Sequence, residues 1–176
     1  AFYGCTALAE VSFGSGLETL GGGAFSACSA LAEVSVKADN AKFTSSGNCL
    51  VRKSDRSLIL GGAVTEMPQD ILRIGAYAFD GRLAFEGAAL PDSVRYIEKR
   101  AFTRSGVKEM VIPDTVVRLD EGVFYRAEAL TSVRIGAGIT AIPDNAFVGC
   151  VSLIDVTLPA KLDTIGENGF SGCVRM

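Results

Sequence analysis

Apolar positions recur along this chain on a fixed beat, and phenylalanine carries it. Phe2, Phe25, Phe79, Phe102, Phe124, Phe147 and Phe170 each follow Ala, Val or Gly, at spacings of 23, 54, 23, 22, 23 and 23 residues. The long spacing is one ordinary period plus an insertion of 31 residues. Six residues beyond the Phe stand Leu8, Leu31, Phe85, Leu130 and Leu153. Nine beyond stand Val11, Val34, Ala88, Val133 and Val156, and eleven beyond stand Phe13, Val36, Leu90, Ile135 and Leu158. Fifteen and eighteen beyond come Leu17 and Leu20, Val94 and Ile97, Ile139 and Ile142, and Leu162 and Ile165. The repeat after Phe102 is one residue short, so Val107, Met110, Ile112, Val116 and Leu119 serve there. After the insertion the register resumes at Ile71 and Ile74. A constant period of this length marks a solenoid.

Each unit also reads physically. Val11-Ser12-Phe13 and Val156-Thr157-Leu158 alternate with the two-residue period of a half-buried strand. Pro91, Pro113 and Pro159 close such strands, where a missing N–H is tolerated. Gly21 to Phe25 and Gly75 to Phe79 read as a turn entering one short helical turn. Gly4, Gly81, Gly149 and Gly172, two residues past the Phe, suit a positive φ at its end. One unit cannot bury its own apolar edge, so the units must stack. The predicted fold is a right-handed solenoid over residues 1–176, with parallel strands on one face and turns or short helical segments on the other. The repeat Phe residues should form one continuous interior stripe.

Residues 37–70 break the period. Leu50-Val51-Arg52 and Leu58-Ile59-Leu60 flank a polar stretch from Lys53 to Ser57, the pattern of a β-hairpin. Such a hairpin would either be an irregular island in the array or jut from it as a contact site. In both cases it should be dispensable for the fold.

These phrases resemble the BspA-like leucine-rich repeats, whose unit runs Ala-Phe-x-x-Cys-x-x-Leu-x-x-Val-x-Leu-Pro-x-x-Leu-x-x-Ile-Gly. Ala146 to Ile165 follows that pattern almost position by position. Arg82, Ser105 and Ala127 depart from it at the Cys, and Glu98, Asp120 and Pro143 at the final Gly. The resemblance implies a surface or secreted microbial or protist protein used for adhesion and protein binding, hence an extracellular location. An array that starts and stops in mid-repeat reads as a segment of a longer protein.

Composition narrows the chemistry. Histidine is absent, which excludes a Ser-His-Asp triad, a Cys-His dyad and any His-ligated metal. A formal charge of −3, from 17 basic and 20 acidic residues, offers no basic face for nucleic acid. No uncharged apolar run approaches the roughly 20 residues of a membrane span. Gly136-Ala137-Gly138-Ile139-Thr140-Ala141 fits a loose dinucleotide fingerprint, but Ile139 and Ile142 belong to the repeat, so the stretch is a repeat turn. Cys5, Cys28, Cys150 and Cys173 share one offset and should form an inward ladder of free thiols. Neither a cofactor nor a metal site is expected, and the chain is not expected to be an enzyme.

The candidate contact residues lie on the strands. If offsets nine and eleven point inward, offset eight points out on the same strand. It holds Glu10, Glu33, Glu109 and Asp155, with Gly87 and Ser132 as gaps and Arg134 beside the second gap. Strands stack roughly 4.8 Å apart, so Glu10 and Glu33 would be near neighbours, an arrangement that costs stability and suits a basic partner protein or a hard cation. A column spreads carboxylates that calcium would need to converge, and the alternative is a solvated face that keeps the array soluble. A second row, Arg73, Arg95 and Arg118, ends in Glu18 and Asp163 and is at most a patch. Function is then recognition of a protein partner, with a spacer that holds another domain off a surface as the alternative.

Overall fold

A computed structural model describes residues 1–63 and 66–176. The chain winds as a solenoid, and a regular coil passes a strand, a shorter strand and a turn built around the repeat Phe. The first side carries β1 (Glu10–Phe13), β2 (Glu33–Val36), β8 (Glu109–Val111), β10 (Ser132–Arg134) and β12 (Asp155–Thr157). Along it β1 pairs with β2, and β8, β10 and β12 pair in order, all parallel. The second side carries β6 (Arg73–Ile74), β7 (Tyr96–Ile97), β9 (Arg118–Leu119), β11 (Ala141–Ile142) and β13 (Thr164–Ile165). Inward positions match the period: Val34, Met110, Val133, Ile74, Ile97, Leu119 and Ile142 are buried.

The third side is not helical. No helix occurs among the described residues, and the expected helical turn is replaced by a tight loop with two left-handed residues. One stands two positions before the Phe, the other two positions after it. Gly4, Gly81, Gly149 and Gly172 adopt the expected positive φ at the latter, between 71° and 77°. A left-handed residue on each side of the Phe leaves no run of right-handed dihedrals long enough for a helix.

From Phe79 onward the Phe rings stack face to face. Their centroids are 5.3 Å apart at Phe79–Phe102 and at Phe102–Phe124, 5.2 Å at Phe124–Phe147 and 5.0 Å at Phe147–Phe170. Beneath them, the N–H of each Phe donates to the carbonyl preceding the next, as in Phe124 to Ala146 at 2.8 Å. Phe2 and Phe25 form a separate stack, 4.8 Å apart. The single stripe expected of seven Phe residues is therefore two, broken at the insertion.

The insertion explains the break. It folds as three antiparallel strands, β3 (Phe43–Ser46), β4 (Cys49–Arg52) and β5 (Ser57–Gly61). The expected hairpin corresponds to β4 and β5; β3 is additional. Because two reversals restore the original direction, β5 pairs in parallel with β6 and extends the second side. At the entrance Asn40, almost fully buried, donates to the carbonyls of Gly14, Ser15 and Leu17 and accepts from the N–H groups of Lys42 and Phe43. Nor does the segment jut outward. Leu50 and Leu60 face a first core with Phe25, Leu31 and Phe43, while Cys49, Val51 and Leu58 face a second with Phe79 and everything beyond it. It is a partition, apolar on both surfaces.

At the partition the period is kept by substitutes. Gly61 N–H, in place of Phe25 N–H, donates to Ala78 O at 3.0 Å. A methyl group at Gly61 would overlap the Phe79 ring, so only glycine permits that approach. Phe85 stacks on Phe79 at 4.3 Å and fills that end of the second core. In the same repeat no strand forms around Ala88, where Gly87 adopts a φ of 123°. The first side is thereby divided between β2 and β8.

Arg82 completes the join. The thiols of Cys28, Cys150 and Cys173 each donate to the carbonyl of the previous repeat's Phe, at 3.0, 3.1 and 3.2 Å. Arg82 occupies the same slot and reaches the same carbonyl, Phe25 O, at 2.9 Å across the intervening chain. It also donates to Gly61 O at 2.9 Å, Cys28 O at 3.0 Å and Asp80 O at 3.2 Å while only 1% exposed. Burial pulls its pKa down, opposed by the nearby Cys28 and Asp80. The thiol ladder itself is incomplete: Cys5 is exposed and Cys173 half-buried, whereas Cys28, Cys49 and Cys150 are buried. All five are free.

Candidate binding surfaces

Each side of the solenoid presents a different chemistry. On the first side Glu10, Glu33, Glu109 and Asp155 are all exposed. Glu10 lies directly opposite Glu33 in the β1–β2 pair. Together with Ser12, Ser35 and Asn48 they border a shallow hollow of about 250 Å³. Glu109 and Asp155 are not neighbours, because Ser132 stands between them in the register. With the interruption between β2 and β8, the predicted column becomes an acidic pair and two spaced acids. Arg134 is not a free cation. It donates to Asp114 at 3.0 Å, and Asp114 also accepts from Ala137 N–H at 2.9 Å. Both contacts hold the Asp114 carboxyl below its usual pKa, the backbone N–H more than the guanidinium. Beside this pair, Leu90, Val111 and Pro113 line a cleft of about 460 Å³, with Val111 exposed.

The arginine row of the second side is largely neutralised in place. Arg73 lies over the Tyr96 ring, 4.1 Å from its centroid, and 3.7 Å from Glu98. Arg118 pairs with Asp120 at 2.6 Å, and Arg95 donates to the carbonyls of Asp92 and Val94. Little cationic surface is left for an anionic polymer.

The turn side gathers residues that the repeat pattern did not single out. Tyr3, Tyr77, Tyr125, Arg100, Arg104 and Arg126 border a cleft of about 430 Å³. Arg104 holds the buried Asp80 carboxylate through contacts of 2.9 to 3.1 Å. Burial opposes the charge on Arg104, but Tyr3 and Asp80 outweigh it and raise its pKa. Arg126 pairs loosely with Glu128 at 3.1 Å, and Arg100 lies over Tyr125, 4.9 Å from the ring centroid. A signal was available: in these repeats Arg stands at the offsets where others carry Gly.

The repeat geometry, Phe stack and parallel sides agree with what the sequence matches. The model of the BspA type leucine-rich repeat region, in 6 copies, covers residues 1–51 and 64–176. This chain is a BspA-type leucine-rich repeat protein. The stretch outside the match falls within the partition. A leucine-rich repeat protein of Eubacterium ventriosum has the same fold, with a TM-score of 0.74 at 17% identity over 93% of this chain and 58% of its own. The T. pallidum leucine-rich repeat protein gives 0.63 at 27% identity over 100% of this chain and 68% of its own. A leucine-rich cell surface protein of Faecalibacterium prausnitzii gives 0.60 at 21% identity, over 86% and 48%. This BspA-type array thus spans about half to two thirds of these solved chains. No curated protein matches its sequence. Leucine-rich repeats commonly mediate protein interaction and are typically non-enzymatic. No helix of the described residues is long and apolar enough to cross a membrane.

Proposed function

We propose that this BspA-type array is an adhesion module of a cell-surface or secreted protein, binding a basic partner protein through its first side. The observation that carries the reading is the Glu10–Glu33 pair, held in direct register with both carboxylates exposed and no cation paired to either among the described residues. Like charges placed opposite each other on a sheet destabilise it, so their position is better suited to a ligand than to the fold. Glu109, Asp155 and the Val111 cleft extend the surface along the same side, and Arg134 with Asp114 borders it. A partner laid across several coils sums many small contacts, with charge acting chiefly on association rate.

The test is binding of the array to a panel of extracellular-matrix proteins, repeated with Glu10→Gln, Glu33→Gln, Glu109→Gln and Asp155→Asn combined. Binding that weakens in this variant, most strongly at low salt, supports the reading. Binding that is indifferent to the four changes at every salt concentration removes the first side as the contact. Absence of binding to the whole panel favours a spacer, for which the rigid Phe stack is the only feature needed.

A further inference from the structure

The turn side carries a second site, independent of the first. Its backbone is left-handed two residues before and two residues after the repeat Phe. Gly4, Gly23, Gly81, Gly122, Gly149 and Gly172 fill six of these positions, and Asn145 and Asn168 fill two more. These are the residues that adopt such a φ at least cost. Five positions break the rule: Ala27, Tyr77, Arg100, Arg104 and Arg126, with φ between 51° and 60°. Four of the five line one cleft. Strained residues that cluster at a cleft point to a use beyond folding.

We propose that this cleft binds an acidic peptide segment of a partner protein, with Arg100 as the principal carboxylate receptor. Arg104 is engaged by Asp80 and Arg126 is loosely paired with Glu128, but the Arg100 guanidinium forms no ion pair and its side chain donates no hydrogen bond to any described residue, its backbone N–H alone reaching Glu121 O. Its Nε is shielded from solvent and unpartnered. A planar guanidinium resting on a tyrosine ring is already oriented to take a carboxylate through two parallel N–H groups. The cleft lining holds three arginines against one carboxylate in a chain whose formal charge is −3, so it attracts anions locally.

A peptide is favoured over an acidic glycan for two reasons. One ring face of Tyr125 is covered by Arg100, and Tyr77 packs against the backbone of Gly22 and Gly23, which reduces the flat aromatic surface a sugar would stack on. A neighbouring groove of about 390 Å³ shares Arg104 and Arg126 and is lined also by Leu83, 62% exposed, Ala129 and Glu128, whose carboxylate is paired with Arg126. Arginine and tyrosine in the cleft are residue types enriched at protein contact centres, and Leu83 beside them adds apolar area. An aliphatic side chain flanked by Asp or Glu would fill both hollows together.

The left-handed backbone makes a clean test possible, because glycine deletes the side chain and relieves the strain at once. The probe is a fluorescein-labelled Gly-Asp-Glu-Leu-Asp-Glu-Gly peptide, followed by fluorescence anisotropy at low salt. The variants are Arg100→Gly with Arg126→Gly, and separately Leu83→Ser. Expected are saturable binding to the parent, a loss of about tenfold or more in each variant, and an unchanged or raised melting temperature in the double glycine variant. Should the glycine variant fail to fold, the exposed Arg126→Glu reversal is expected to weaken binding on its own. No binding by the parent, equal binding by the variants, or tighter binding of a sulfated disaccharide than of the peptide would each overturn the proposal. Glu10, Glu33, Glu109 and Asp155 are untouched, so failure here leaves the first-side reading standing.

Discussion

Residues 79–176 and residues 1–63 solve the same packing problem differently. In the C-terminal region each coil lies directly on the next, so a Phe meets a Phe and a backbone N–H meets the equivalent carbonyl. In the N-terminal region two coils end on a three-stranded partition; Ala27 N–H still donates to Asp80 O at 3.2 Å, as Gly4 does to Ser26, but the ring and core contacts across it are replaced. Glycine replaces an aromatic layer, Phe85 replaces a neighbour's ring, and the long arm of Arg82 replaces a thiol. A repeat code therefore specifies contacts only while the coils touch. Where they are separated, the departures from the consensus are matched to the material that separates them.

The largest effect should come from removing that material. Excision of residues 38–68 restores the spacing of 23 between Phe25 and Phe79, but leaves the Arg82 guanidinium inside a slot sized for a thiol. The excised chain is expected to aggregate or to lose its cooperative unfolding transition in chemical denaturation. Adding Arg82→Cys to the excision should restore soluble, cooperatively folding protein. Equal folding with and without the added change would mean that Arg82 is not fitted to the partition.

Within the regular stack, Phe147→Ala removes a fully buried ring flanked on both faces and should cost about 3 to 5 kcal/mol. The terminal Phe2 is 48% exposed and touches the stack on one side only. Its replacement should cost about 1 kcal/mol, since only part of the area is removed from water. Urea midpoints of the two variants measure the difference directly. Similar losses would mean that the stack is not the unit of stability.

Much of this was legible beforehand, for reasons visible in particular residues. The Phe spacing and the Val-x-Leu alternation locate the coils because inward positions tolerate little but an apolar side chain of the right size. The turn side was harder to read, since Arg100, Arg104 and Tyr77 carry no intrinsic preference for the left-handed backbone they adopt. Strand β3 was hidden because Phe43-Thr44-Ser45-Ser46 buries only its first residue well. In β4 and β5 the adjacent apolar residues Leu50-Val51 and Leu58-Ile59-Leu60 were a sign of burial on both surfaces, which a protruding hairpin does not need. The four acidic positions were legible one by one. Their continuity was not, because it depends on the partition and on Gly87.

Arg82→Met tests the join without disturbing chain length. Methionine fills much of the volume but leaves the carbonyls of Phe25, Cys28 and Gly61 without these donors. A cost of about 2 to 4 kcal/mol is expected, smaller than the sum of the separate bonds because the neutral side chain is easier to bury. Hydrogen exchange should show protection falling first in residues 1–63. A uniform loss over the whole chain would indicate that the two cores unfold as one unit.

The smallest effect, and the finest probe of that unity, is the pH dependence of the buried thiols. Burial pushes Cys49, in the partition, up to about 12, and does the same to Cys150 in the regular stack. In the unfolded chain a thiol ionises near pH 8.5 to 9, so between that value and about pH 12 the unfolded state holds fewer protons than the native one. Their stabilising contribution is then complete below about pH 8.5 and is lost as pH rises toward 12. Urea midpoints should be level from neutrality to about pH 8 and fall above it, and Cys49→Ala or Cys150→Ala should each flatten the fall. If the two regions unfold together, either substitution acts on the same transition. If the partition separates them, Cys49→Ala will change an early transition and leave the later one to Cys150. At about pH 8 only the exposed Cys5 should be alkylated at once in the native protein, with half-buried Cys173 slower and the three buried thiols slowest. Rapid native labelling of Cys49 or Cys150 would contradict both the burial and the pH dependence drawn from it.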